Sequence, residues 1–131
     1  MMMYDDILQA VIGMAESAAG VKILVGSMPP DDGIAMTGNG YNQDVYLDIG
    51  TDERINVVCN AKSTNQRQVI QWLDAIHSSL TRRKDWPAGD NWQVYDIRTV
   101  ASPHLIGRED NSQWLYGSSL VVRVNVGGIN Q

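Results

Sequence analysis

Several things are scarce in this chain. It has one cysteine, Cys59, and no phenylalanine. A single thiol excludes an intrachain disulfide, so synthesis in a reducing cytosol is expected. Cys59 lies in an apolar stretch and suits a small core residue. Long apolar runs are missing too. The opening MMMYDD has no basic n-region, and nothing reaches the ~18 apolar residues of a membrane span. Neither a signal peptide nor a membrane contact is expected.

Positive charge is also scarce, with a formal net charge of −5. Non-specific nucleic-acid binding needs a clustered cationic surface, which argues against it here. The one basic run, Arg82-Arg83-Lys84, follows a helical pattern, and a helix C-terminus favours cations. Such a protein can still let DNA slide past without holding it.

Reactive constellations are absent as well. His77 and His104 stand apart, with no HxxxH and no CxxC, so no metal site is expected. Asp31-Asp32-Gly33 and Asp52-Glu53 lack the ligand spacing of a calcium loop. Ser102-Pro103-His104 sets a serine near a histidine, but no G-x-S-x-G elbow exists. Gly38-Asn39-Gly40 starts like a dinucleotide fingerprint, but the third glycine is missing and no helix follows to hold phosphate. No GK[ST] is present. Dispersed acids select no glycosidase-like pair. The expectation is no catalytic residue, no cofactor and no enzymatic activity.

What is there is a packing framework. A chain of 131 residues reads as one domain, 1–131, large enough to bury roughly two-thirds of its unfolded surface. Four Trp and five Tyr suit half-buried or interface positions, because each joins a polar tip to an apolar body.

RINVVCNA reads as a strand, with Ile55, Val57 and Cys59 on one face and Asn56 and Asn60 on the other. STNQRQVIQWLDAIHSSL reads as a long amphipathic helix whose stripe is Val69, Trp72, Leu73, Ile76 and Leu80. Ser63 and Gln66 fit a capping box at its start. A shorter N-terminal helix opens at Asp5-Asp6, carries Ile7, Leu8, Val11, Ile12 and Ala15 on one face, and stops at Gly20.

VKILVG, residues 21–26, is a short strand. Residues 29–44 are rich in Pro, Gly, Asp and Asn and are expected to form a long, mobile, exposed loop, with a short strand at Ile34–Met36 as the alternative within it. Val45, Leu47 and Ile49 alternate as a strand. Gly50 to Glu53 then turn it into the 54–60 strand as a hairpin. Trp92 to Val100 is a further strand, 101–112 an interruption around Pro103 and Gly107, and Leu120 to Val126 the clearest alternating strand. The expected class is α+β: a mainly antiparallel sheet against one long helix, with a short N-terminal helix.

Two segments carry a resemblance. INVVCNAKSTNQRQVIQWLDAIHSSL and YDIRTVASPHLIGREDNSQWLYGSSLVVRVNV, within roughly residues 45–126, resemble the minor capsid and tail-terminator proteins of long-tailed phages and prophages. The resemblance implies a homo-oligomeric ring, commonly a hexamer, in the neck of a virion. Such a ring stops tail-tube growth, meets the head connector, and lets DNA pass through its lumen without specific binding. A ring needs a heterologous contact, one face against a different face of the next copy. Tyr95, Ile97, Trp114 and Tyr116, with Asp31, Asp32 and Tyr41 of the expected loop, are the candidate interface residues. Two other classes compete: a small-ligand-binding or regulatory domain with the 29–44 loop as a lid, and an enzyme using dispersed acids.

Overall fold

The computed structural model describes residues 3–28, 31–46, 50–89, 91–109 and 112–126, with side chains for all of these except 3, 4, 39–46, 50 and 51. Helix α1 spans Met3–Ala19 and buries Ile7, Leu8, Val11, Ile12 and Ala15. It stops at Gly20, whose φ of 78° suits a residue without Cβ and whose N–H closes onto the Glu16 carbonyl at 2.8 Å.

Strand β1, Ile23–Val25, runs parallel to β2, Gly33–Tyr46. β2 pairs antiparallel with β3, Gly50–Ser63, from Gly33 opposite Lys62 to Tyr46 opposite Gly50. The long loop expected over 29–44 is therefore a strand from Gly33 onward. Ile34 and Met36 alternate into the core, and β3 takes up the backbone polar groups. The Gly38-Asn39-Gly40 run falls where the register shifts, and an irregularity is where a strand accommodates glycine. A mobile lid over the sheet is not available from a strand inside it.

The hairpin is present, but its turn is displaced. Thr51, Asp52 and Glu53, expected in the turn, pair with Val45, Asp44 and Gln43. Leu47 and Ile49 lie outside the described residues.

Helix α2, Gln66–Thr81, buries Val69, Leu73, Ile76 and Leu80, joined by His77, while Trp72 is only partly buried against them. Its N-cap is Asn65 rather than Ser63: the Asn65 Oδ1 accepts from the amides of Arg67 at 3.1 Å and Gln68 at 3.4 Å. Ser63 is still in β3, opposite Trp114. Gln66 does not reach back as a capping box requires; its amide donates to the Tyr116 hydroxyl at 2.6 Å. At 17 and 16 residues the two helices are near equals, which corrects the expectation of one long and one short helix.

β4 runs without a break from Trp92 to Arg108, through the expected interruption at 101–112, and β5 spans Trp114–Val126. The sheet order is β1-β2-β3-β5-β4, so β4 is an edge. Its register shifts four times, between Val94 and Asp96, Thr99 and Ala101, Ala101 and His104, and Leu105 and Gly107. An edge strand has no second neighbour asking for the N–H that Pro103 lacks.

The sheet is mixed. Only β1–β2 is parallel, and the other pairs are antiparallel. α2 packs over β3, β4 and β5, and α1 packs against α2 and β1. One core joins Val11 of α1 and Leu73 of α2 to Met36, Val57 and Val122 of the sheet. Asn56, Asn60, Val121 and Arg123 alternate onto the other face.

Candidate interaction surfaces

The seven interface candidates do not form one patch. Tyr95 and Ile97 are two residues apart, which in a regular strand puts them on one face. The register shift between Val94 and Asp96 separates them: Ile97 is 1% exposed and Tyr95 39%. Tyr116 is also buried, held by Gln66. Ile97 and Tyr116 complete the core and present no outward face, correcting their expected exposure. Trp114 is half-buried, with the Arg108 guanidinium 4.8 Å above its ring. Tyr41 pairs with Ile55 through the backbone, and its side chain lies outside those described.

Tyr95 is committed within the chain. Its hydroxyl donates to Asp52 Oδ1 at 2.5 Å, and the Arg123 guanidinium lies 5.4 Å above its ring and 3.5 Å from Asp52 Oδ2. Asp52 is 5% exposed, so its charge needs these partners. Desolvation, then the Asp52 carboxylate, pushes the Tyr95 phenol up. The cluster ties β3, β5 and β4 together on the face away from the helices.

Asp31 and Asp32 are exposed, and Asp32 is a clamp. Its carboxylate accepts from Gln113 Nε2 at 2.7 Å, Ser63 Oγ at 2.9 Å and the Thr64 amide at 3.2 Å. It thereby fastens the start of β2 to the β3–α2 junction and the β4–β5 connection. The Gln113 hydrogen bond leads in holding its carboxyl below the usual range. Nearby, Lys62 Nζ meets Glu109 at 3.3 Å.

The reactive side chains are muted. Cys59 is fully buried, and desolvation pushes its thiol up to about 12. The buried His77 shares a 2.8 Å hydrogen bond between its Nδ1 and Thr99 Oγ1, while its Nε2 has no hydrogen-bond partner among the described residues. Burial lowers its pKa, against the pull of Asp74. Among the described residues, no three of His, Cys, Asp and Glu converge as a metal site. No helix among them is long and apolar enough to cross a membrane.

Exposed apolar groups gather instead at the two edges of the sheet. Leu24 (37%) and Val25 (51%) lie on β1, and Val100 (65%), Leu105 (50%) and Ile106 (53%) on β4. Ile106 folds across β5: a Cβ on Gly117 would sit 2.7 Å from Ile106 Cδ1, so a larger residue there would push the Ile106 side chain aside. The sequence reading missed Leu105 and Ile106 because it took 101–112 for an interruption. Leu105 and Ile106, adjacent apolar residues inside that stretch, were the available signal. At the β1 edge, α1 and β1 bound a groove of about 340 Å³, where Gln9, Glu16 and Lys22 stand beside Ile12, Leu24 and Val25.

No family model matches the chain, and no curated protein does. Among solved structures, it is similar to a chain of the virion of native gene transfer agent (GTA) particle, with a TM-score of 0.60 and 15% identity over 95% of this chain and 97% of that one. At that identity the likeness shows the fold: the α+β arrangement of this chain is shared, end to end, with a component of a virion particle.

Proposed function

We propose that this protein is a structural part of a phage-like virion, of the minor capsid or tail-terminator type. In this reading, copies form a closed ring that caps the tail tube and meets the head connector, and DNA passes through the lumen. The observation that carries the reading is the fold shared with a chain of the virion of native gene transfer agent particle over nearly the full length of both. The resemblance of residues 45–126 to tail terminators supports the same role independently. A net charge of −5 supports it too, because an acidic lumen repels phosphates and lets the genome slide. In this reading the protein acts by packing.

The test is assembly in solution. Purified protein added to polymerising tail-tube subunits of the same phage or prophage should shorten the tubes in electron micrographs and mark one end of each. Tubes of unchanged length, with nothing bound at either end, would remove the tail-terminator role.

A further inference from the structure

We infer that the seam between α2 and β4 is an acid-opened joint: a proton on His77 parts the edge strand from the helix while the rest of the sheet stays paired. The inference concerns the single subunit and stands apart from the ring reading.

His77 is a polar contact across this seam. It sits on the inner side of α2 at 6% exposure, and its Nδ1 lies 2.8 Å from Thr99 Oγ1 of β4. A neutral imidazole suits that place in either tautomer, because the threonine hydroxyl can donate or accept. An imidazolium does not suit it. Both of its nitrogens are donors, and Nε2 is buried with no hydrogen-bond partner among the described residues. A buried charge without a partner is costly, so the closed seam resists the proton. The open seam favours it. With water at the ring, the exposed Asp74 stands three residues back on the same helix, and the C-terminal end of α2 is close by. Both stabilise a cation. One group thus prefers opposite charge states in the two arrangements, which is what lets a proton shift the balance between them.

The strand is the side that yields. α2 is fixed by Val69, Leu73, Ile76 and Leu80, each wholly buried. β4 is an edge with β5 as its neighbour, and its register shifts twice just past the joint, between Thr99 and Ala101 and between Ala101 and His104. Thr99 and Val100 are exposed, so water has a short path to the ring. Other charges do not compete for His77. Asp74 is the charge that acts on it. Behind Thr99 stand Leu120 of β5 and Val57 of β3, both apolar. Cys59 is a buried thiol, while Glu53 and Tyr116 lie four residues along those strands, about 13 Å away at strand spacing. On β4, Asp96 and Arg98 hold each other, and the exposed His104 meets the Ser102 carbonyl. On α1, Asp5 and Asp6 are exposed, and Glu16 holds the Ile23 amide at the opposite edge of the sheet. Arg82, Arg83 and Lys84 lie beyond the end of α2.

Hydrogen exchange on the full chain tests the joint, followed from about pH 7.5 to about pH 5.5, either side of an ordinary histidine, and corrected for intrinsic rates. The β5-paired amides around Thr99 and Ala101 should lose protection in acid, by about tenfold per pH unit below the ordinary imidazole pKa of about 6.5. Those of Ile34 to Met36 and Ile55 to Cys59 should keep theirs. His77→Gln takes no proton and should hold the β4 protection across the range, whereas His104→Gln, at an exposed site, should open like the parent. Asp74→Asn removes an exposed carboxylate, so it should fold normally and delay the opening to lower pH. Protection that never falls at Thr99, or that falls evenly over all strands, would overturn the joint. So would the same β4 opening in His77→Gln, or an unmoved opening in Asp74→Asn. A failed joint leaves the assembly reading where it stood.

Discussion

Leu105 and Ile23 end the same cross-strand row, one exposed on the β4 edge and the other buried at the β1 edge. Because the sheet is open, its two edges are different surfaces on one molecule. A different surface at each end is what a head-to-tail assembly requires.

The core of this subunit should depend on the inner face of α2, Leu73 included, and not on its outer face. Leu73 is fully buried between helix and sheet, whereas Ile70 one turn away is 43% exposed. Leu73→Ala should cost about 2–5 kcal/mol, and Ile70→Ala should stay within about 0.5 kcal/mol. Urea denaturation of the two variants checks this. Equal midpoints would mean that α2 does not sit on the sheet as described.

The Tyr95–Asp52 hydrogen bond should be measurable alone. Tyr95→Phe keeps the ring against Arg123 and removes the donor to a carboxylate that is 5% exposed. The expected loss is about 1.5–3 kcal/mol, typical of a hydrogen bond to a charged group. An unchanged melting temperature would show that water replaces the phenol at no cost.

His77 should make stability pH-dependent. Burial lowers its folded pKa, whereas a histidine in the unfolded chain titrates near about 6.5. Below that value the unfolded chain binds a proton that the folded chain refuses. Stability should therefore be full above neutral pH and fall as the pH drops from about 7 toward 5. In His77→Gln that slope should flatten, whatever the absolute stability. An identical slope in the variant would assign the dependence to other groups.

How much of this fold could be read in the sequence depended on which elements keep a clean period. α1, α2 and β5 each bury a regular apolar set, and Val11, Leu73 and Val122 stand where periodicity puts them. β2 was hidden because Gly38, Asn39 and Gly40 dominate its composition, while only Ile34 to Met36 signal burial. The second half of β4 was hidden because an edge strand buries little: Leu105 points outward, and the register shifts break the alternation. The same shifts defeated the interface candidates, since Tyr95 and Ile97 look equivalent until the irregularity between Val94 and Asp96 parts them. The helix start was off by two residues because Ser63 and Asn65 are equally good caps.

That correction reverses the expectation for residues 29–44. Replacing 30–43 with a Gly-Ser linker should abolish cooperative unfolding, because it deletes the strand between β1 and β3 along with the Asp32 clamp. Hydrogen exchange should find the amides of Ile34 to Met36 protected in the isolated subunit. Rapid exchange there would restore the loop.

The central claim is that copies of this chain assemble into a closed ring. Light scattering on the purified protein, with negative-stain images of the same sample, measures it directly. The expected result is one species, a fixed multiple of the 14.5 kDa chain, seen as rings with a central hole. A particle of 14.5 kDa at every concentration, with no ring in the images, would contradict it.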